Sequence, residues 1–406
     1  MPDRSVASEA SALVLSGPRL ADGRAVDVRV CADRIEAVGV PGSLRPSPGA
    51  GDHLDLTGHL LLPAPAEPHA HHDTALTAVP GEPPPDTPGE LRRRITEAVL
   101  LQLAHGATAQ RSHIRIGDVS GLHALQAALE TRRGLRGLAE LIPVAVPRLL
   151  TGRAGADGRA LLQDAAKMGA TVLGGCPDLD PDPAGFLETV LATAAEHGCA
   201  VDLHTEADDP ARLARLAAAA AGLRPGVTLG PCAGLARLPA ESAARAADQL
   251  AASGITVICL PQGQCGLLPR DGGRTVPPVR LLRSAGVRVA AGSGALRDLA
   301  NPVGRGDPLE AAFLLASLGE TTPAVAYDCV GTHARRAIGL PEVRIESGRP
   351  AELLAIRGET VAGALSQCYS RLVIHRGRIV SRTSAVREFC GSAARPARGL
   401  PRQPTG

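Results

Sequence analysis

The chain has 406 residues, 44% of them apolar and 1% aromatic, and a formal net charge of +2 from 43 basic and 41 acidic groups. That length suits one large domain with a smaller one beside it, and the apolar fraction supports a buried core. Balanced charge and scarce aromatics exclude a nucleic-acid or membrane-surface binder, so neither class of partner is expected.

The nine cysteines are an odd total with no CxxC pair, which argues against a disulfide framework. Met1 to Ser16 carries acids early and lacks an apolar segment, so it does not read as a secretory signal. No run approaches the roughly 20 apolar residues of a membrane span. The expectation is a soluble protein of a reducing compartment, the cytoplasm.

Residues 12–60 read as short strands: Ala12 to Leu15, Val26 to Cys31 and Arg34 to Val38, punctuated by Gly23, Gly39 and the loop Pro41 to Gly51. Glu352 to Ile356, Arg371 to His375 and Arg378 to Val380 read the same way near the other end. Between them strands and helices alternate. Gly89 to His105 places Leu91, Ile95, Val99 and Leu103 on one helical face, with Gly106 where a helix-ending glycine belongs. Pro210 to Leu223 reads as a helix capped by Asp209.

Strand-like segments start near Ala107, Leu141, Thr171, Ala200, Val227, Ile255 and Val287. With the apolar run that leads from Leu60 to His69, they make eight. Eight βα units predict an α/β fold, a (β/α)8 TIM-like barrel whose active site lies at the C-terminal strand ends. The expected division is a barrel over 61–343, a small β-sandwich formed from 1–60 and 344–385, and a flexible tail over 386–406.

Chemistry is therefore sought at the strand ends. His69 and His71 lie one residue apart at the end of the first strand, and residues i and i+2 of a strand share a face. That geometry suits one metal ion. The other strand ends supply Arg111 and His113, then Arg148, His204, Pro231-Cys232, and Gly292-Ser293-Gly294. A lone histidine there is more often a packed core residue than a ligand. His69, His71 and His204 converge from the first and fifth strands. His72 faces the other side of its strand and reads as structural.

These residues carry a family resemblance over nearly the whole length. Leu61-Leu62-Pro63 leading to Glu67-Pro68-His69-Ala70-His71-His72-Asp73, then Arg111-Ser112-His113, Asp202-Leu203-His204-Thr205, Cys232, and Arg297-Asp298 through Gly306-Asp307-Pro308 are similar to the cytosine deaminase-like branch of the amidohydrolase superfamily. The resemblance implies metal-dependent hydrolysis of a C–N bond in a nucleobase-like or cyclic amide substrate. It implies one divalent metal ion, iron or zinc, on His69, His71 and His204. Homologous barrels often assemble, so a homo-oligomer is an expectation too.

The chain departs from the family pattern at several acid–base positions. Gly294 stands where an aspartate after strand eight normally completes the metal site. Pro231 replaces a histidine of strand six, and Ala207 stands at the place of the proton-shuttling glutamate. Glu206 takes that catalytic role if the loop has lost one residue. Arg148 replaces a ring-reading glutamine, Arg115 replaces an acid, and Arg148 with His113 form the expected substrate contacts. General acid–base help is worth about 10²–10⁴-fold, so the alternative reading is a catalytically degenerate homologue that binds a small molecule or partner without hydrolysis.

Overall fold

A computed structural model describes residues 12–44, 52–79, 81–82, 84–117, 121–263, 276–386 and 388. The expected tail over 386–406 lies outside these apart from Val386 and Glu388, as does the part of the N-terminal reading that falls on residues 1–11.

Eight strands form one sheet in chain order: Ala66–Ala70, Ala109–Ile116, Glu140–Pro147, Val172–Gly175, Ala200–Thr205, Val227–Pro231, Thr256–Cys259 and Arg288–Ala291. Neighbouring strands run parallel throughout. A parallel bridge between Ala70 and Gly294 brings the last strand's end back to the first. Helices Pro88–Ala104, His123–Gly134, Ala156–Met168, Pro183–His197, Pro210–Ala220, Ala240–Ser253, Val279–Ser284 and Pro308–Ser317 separate and follow the strands. This is the (β/α)8 barrel.

The helices form where local chemistry expects them. Thr87 caps the first by accepting from the Glu90 N–H, and Gly106 follows its end at φ +111°. Its Leu91, Ile95, Val99 and Leu103 are buried in the main core. Asp209 caps the helix Pro210–Ala220, accepting from the Ala211 and Arg212 N–H groups.

Two four-stranded sheets lie outside the barrel. One holds Leu13–Ser16, Asp27–Cys31, Arg34–Gly39 and Asp52–Asp55; the other holds His59–Pro63, Leu353–Arg357, Arg371–His375 and Arg378–Arg382. Their facing side chains share a core that includes Leu15, Val28, Val30, Leu61, Leu353, Ala355 and Ile374. Alternate residues of the second sheet, Leu60, Leu62, Leu354 and Ile356, point instead into the main core. The apolar run before His69 is thus two strands: Leu60-Leu61-Leu62 pairs with the C-terminal segment, and the barrel begins at Ala66.

A buried ion pair joins sandwich to barrel. Arg371 Nη2 donates to Asp307 Oδ2 at 2.6 Å and Nη1 to Oδ1 at 2.9 Å, and Nη1 also reaches the His105 carbonyl. Among the described residues, no helix is long and apolar enough to cross a membrane.

Candidate metal centre

The first barrel strand does not run straight into the site. Its pairing with the second strand shifts register between Glu67 and Ala70. Glu67 pairs with Gln110, on the face turned to the helices, and the irregularity re-aims His69 into the barrel. Glu67 is held there by the Ser293 N–H and Oγ–H and by the His69 N–H. Burial pushes its pKa up to about 7. His72 turns to the same outer side, its Nε2 2.9 Å from Gln102 Oε1, which fits a structural role.

The second strand runs on through Ile116, so Arg111, His113 and Arg115 lie within it. His113 meets His69, His71 and His204 in one cluster, each offering a nitrogen within 4.8 Å of the others. Exposure of the four rings is 6% for His71 and 0% for the rest. His71 Nε2 is 3.4 Å from His69 Nε2 and 3.2 Å from His204 Nε2. Those spacings match the edge of a tetrahedron, about 3.3–3.4 Å when metal–nitrogen bonds are about 2.0–2.1 Å.

The chemistry of the donors fits a cation as well. Among the described residues, the Nε2 atoms of His69, His71 and His204 approach one another and no other hydrogen-bonding group, while His113 Nε2 and Asp202 Oδ1 are buried without a hydrogen-bond partner. Burial pushes the histidine pKa values down, to about 3 for His71 and His204 and well below the ordinary value for His69 and His113. The imidazoles are neutral at pH 7, which is the ligating form.

Beneath the histidines lies a second layer. Arg111 and Asp202 stand two residues before His113 and His204 and so share their inward faces. Arg111 Nη1 donates to Asp202 Oδ2 at 3.0 Å and to Thr228 Oγ1 at 3.1 Å. Asp202 Oδ1 is 3.4 Å from His113 Nε2. Sequence reasoning passed over Asp202 as a site residue, although its spacing from His204 placed it on that face.

The remaining candidates sit as follows. Gly294 has φ +71°, and its N–H donates to the His69 carbonyl at 3.1 Å. Strand pairing sets Gly230 beside His204 and Pro231 beside Thr205, so Gly230 is the residue of the sixth strand that faces the cluster. Glu206 is buried, its Oε2 3.5 Å from Arg237 Nη2 and its N–H on Asp178 Oδ2. Arg148 is exposed just past the third strand. Arg115 donates its Nε–H to Asp73 Oδ2 at 2.8 Å. A cavity of about 440 Å³ opens beside the fifth strand between Asp178, Thr205, Asp208 and Arg212; it is not lined by the four histidines.

Residues 109–381 match the amidohydrolase family. A pterin deaminase of Rhizobium rhizogenes is 29% identical over 312 residues, 72% of this chain and 70% of that one. The structure of N-isopropylammelide isopropylaminohydrolase from Burkholderia multivorans superposes with a TM-score of 0.80 at 27% identity, covering 93% of this chain and all 100% of that one. A 5-methylcytosine deaminase from Klebsiella pneumoniae, crystallised with phosphonocytosine, gives 0.81 at 24% identity over 93% and 100%.

Proposed function

The chain belongs to the amidohydrolase family, and from that premise we propose that it hydrolyses a C–N bond of a nucleobase-like or cyclic amide substrate, using one iron or zinc ion held by His69, His71 and His204. The observation that carries this reading is the approach of His71 Nε2 to His69 Nε2 at 3.4 Å and to His204 Nε2 at 3.2 Å, on three buried imidazoles. A divalent ion at such a site acidifies water and polarises the bond to be broken. The relatives named as a pterin deaminase, an isopropylammelide hydrolase and a methylcytosine deaminase support a ring substrate carrying a C–N bond.

The chain's own residues would then divide the work. His113 and Arg148 meet the substrate, and Glu206 carries a proton to the leaving nitrogen. For that, the Glu206 carboxylate has to turn from Arg237. The loss of side-chain donors at Gly294, Pro231 and Ala207 implies turnover slower by about 10²–10⁴-fold for each acid–base function that nothing replaces.

A second reading is a degenerate homologue that binds a small molecule or a partner without hydrolysis. Gly294 favours it, because a residue without a side chain at φ +71° supplies neither ligand nor base.

Elemental analysis of protein purified without a metal-binding tag separates the readings, followed by a turnover screen on pterins, cytosines and small cyclic amides. About one iron or zinc per chain, lost in His69→Ala and His204→Ala, with ammonia or amine release from one substrate, is expected of the hydrolase. Metal binding without turnover supports the binding homologue. A folded protein that takes up no iron, zinc or manganese overturns the metal-dependent reading.

A further inference from the structure

Three histidines leave one vertex of a tetrahedral site open, and the residue expected to fill it is Gly294, which has no side chain. The structure offers a replacement from the second strand, on the other flank of the first. The ring of His113 has its centre 4.1 Å from that of His69, 4.4 Å from His204 and 5.1 Å from His71. It is fully buried, and one of its nitrogens lies within the same 4.8 Å set as the other three.

An ordinary packed core histidine satisfies both ring nitrogens. His113 does not. Its Nδ1 is 3.4 Å from the Ala70 carbonyl, a long contact, and its Nε2 has no hydrogen-bond partner. That Nε2 faces Asp202 Oδ1 at 3.4 Å, and this oxygen is itself without a partner. An Nε2–H donated to Asp202 would satisfy both atoms and leave Nδ1 for an ion. A carboxylate behind a ligating imidazole fixes its tautomer and raises its basicity.

Charge points the same way. A carboxylate ligand would lower the net charge of the site by one, whereas four neutral imidazoles leave the ion's charge undiminished in a buried place. That arrangement needs a counter-charge close by. Asp202 supplies it from the layer beneath, in contact with His113 and held by Arg111 on its other oxygen.

We infer that His113 is the fourth protein ligand of the metal ion, oriented by Asp202, so that the vertex left by Gly294 is filled from the second strand. This inference rests on the metal-centre reading above and replaces the substrate contact assigned there to His113 with a ligating one.

The test is X-ray absorption spectroscopy of the full-length protein loaded with one equivalent of zinc, which counts coordinated imidazoles without any assay of activity. Four imidazoles are expected in the wild type and three in His113→Ala, with weaker zinc binding in the variant. Asp202→Asn should keep four imidazoles while losing about 10–100-fold in zinc affinity. Three imidazoles plus oxygen in the wild type, unchanged in His113→Ala, would overturn the inference and leave the three-histidine centre standing. No zinc uptake would overturn both. Should His113→Ala fail to fold by circular dichroism, the wild-type count decides alone.

Discussion

Arg111 Nη1 lies 3.0 Å from Asp202 Oδ2 in the floor of the histidine cluster, with the two side chains 3% and 0% exposed. A buried pair of this kind contributes little net stability against an apolar pair, but removing one partner strands a charge. Arg111→Met should therefore destabilise the fold by about 3–5 kcal/mol, read as a fall in the urea midpoint. Arg111→Met with Asp202→Leu should recover most of the loss. A single variant as stable as the wild type would show that the pair does not support the floor of the cluster.

Gly230 is the residue of the sixth strand that meets the cluster. A Cβ there would come within 2.8 Å of the Ile258 carbonyl and 3.4 Å of His69 Nδ1. Gly230→Ala must push the strand or the His69 ring aside, at about 1–3 kcal/mol. We expect lower thermal stability together with weaker metal binding. Loss of stability with unchanged metal affinity would mean that the strand yields and the ring does not.

The barrel was legible because most of its strands are short, continuous apolar runs closed by turn residues, and the helices between them carry clear caps. The second strand is longer than the sequence pattern suggests, running on to Ile116. Arg111 and His113 look like loop residues, yet their polar side chains are buried in the barrel interior, while Ile114 and Ile116 are buried in the main core and Arg115 is exposed. The irregularity between Glu67 and Ala70 was equally hidden, since the apolar run from Leu60 onward carries no mark of the register shift that turns His69 inward. Glu206 was undecidable from spacing alone, because a loop one residue shorter can aim a carboxylate either way. Its approach to Arg237 depends on where the segment after the sixth strand lands.

The histidines impose a pH dependence on the apoprotein. Their folded pKa values are depressed, to about 3 for His71 and His204 and about 4 for His72, from an ordinary 6.5. Between those limits the unfolded chain binds protons that the folded chain does not, so stability rises with pH over that window and is lost on acidification below about 6.5. Glu67, raised from 4.5 to about 7, acts oppositely: its contribution is full below pH 4.5 and lost as pH rises through 7. The histidines are the more numerous, so urea midpoints should fall steadily from pH 6.5 towards 4. A flat profile there would show that the cluster is hydrated or already protonated in the folded state.

Introducing side-chain donors at Gly294, Pro231 and Ala207 tests the proposal that their absence limits the site. At Gly294 an added Cβ would meet nothing closer than Leu260 Cδ1 at 3.4 Å, an ordinary contact, although the backbone sits at φ +71°. Aspartate is among the few side chains that visit this region, at roughly 1–2 kcal/mol of strain. Gly294→Asp should therefore fold with slightly reduced stability. Its carboxylate, beside the bridge that joins Gly294 to Ala70 between His69 and His71, should tighten iron or zinc binding by tenfold or more. Adding Pro231→His and Ala207→Glu should raise turnover of a cyclic amide substrate by about 10²–10⁴-fold where the wild type is slow. The side chain at 231 is the weak point, because its strand partner is Thr205 and the inward position is Gly230. A triple variant that folds, binds metal no tighter and hydrolyses nothing faster would mean that donors at these three positions are not what limits the site.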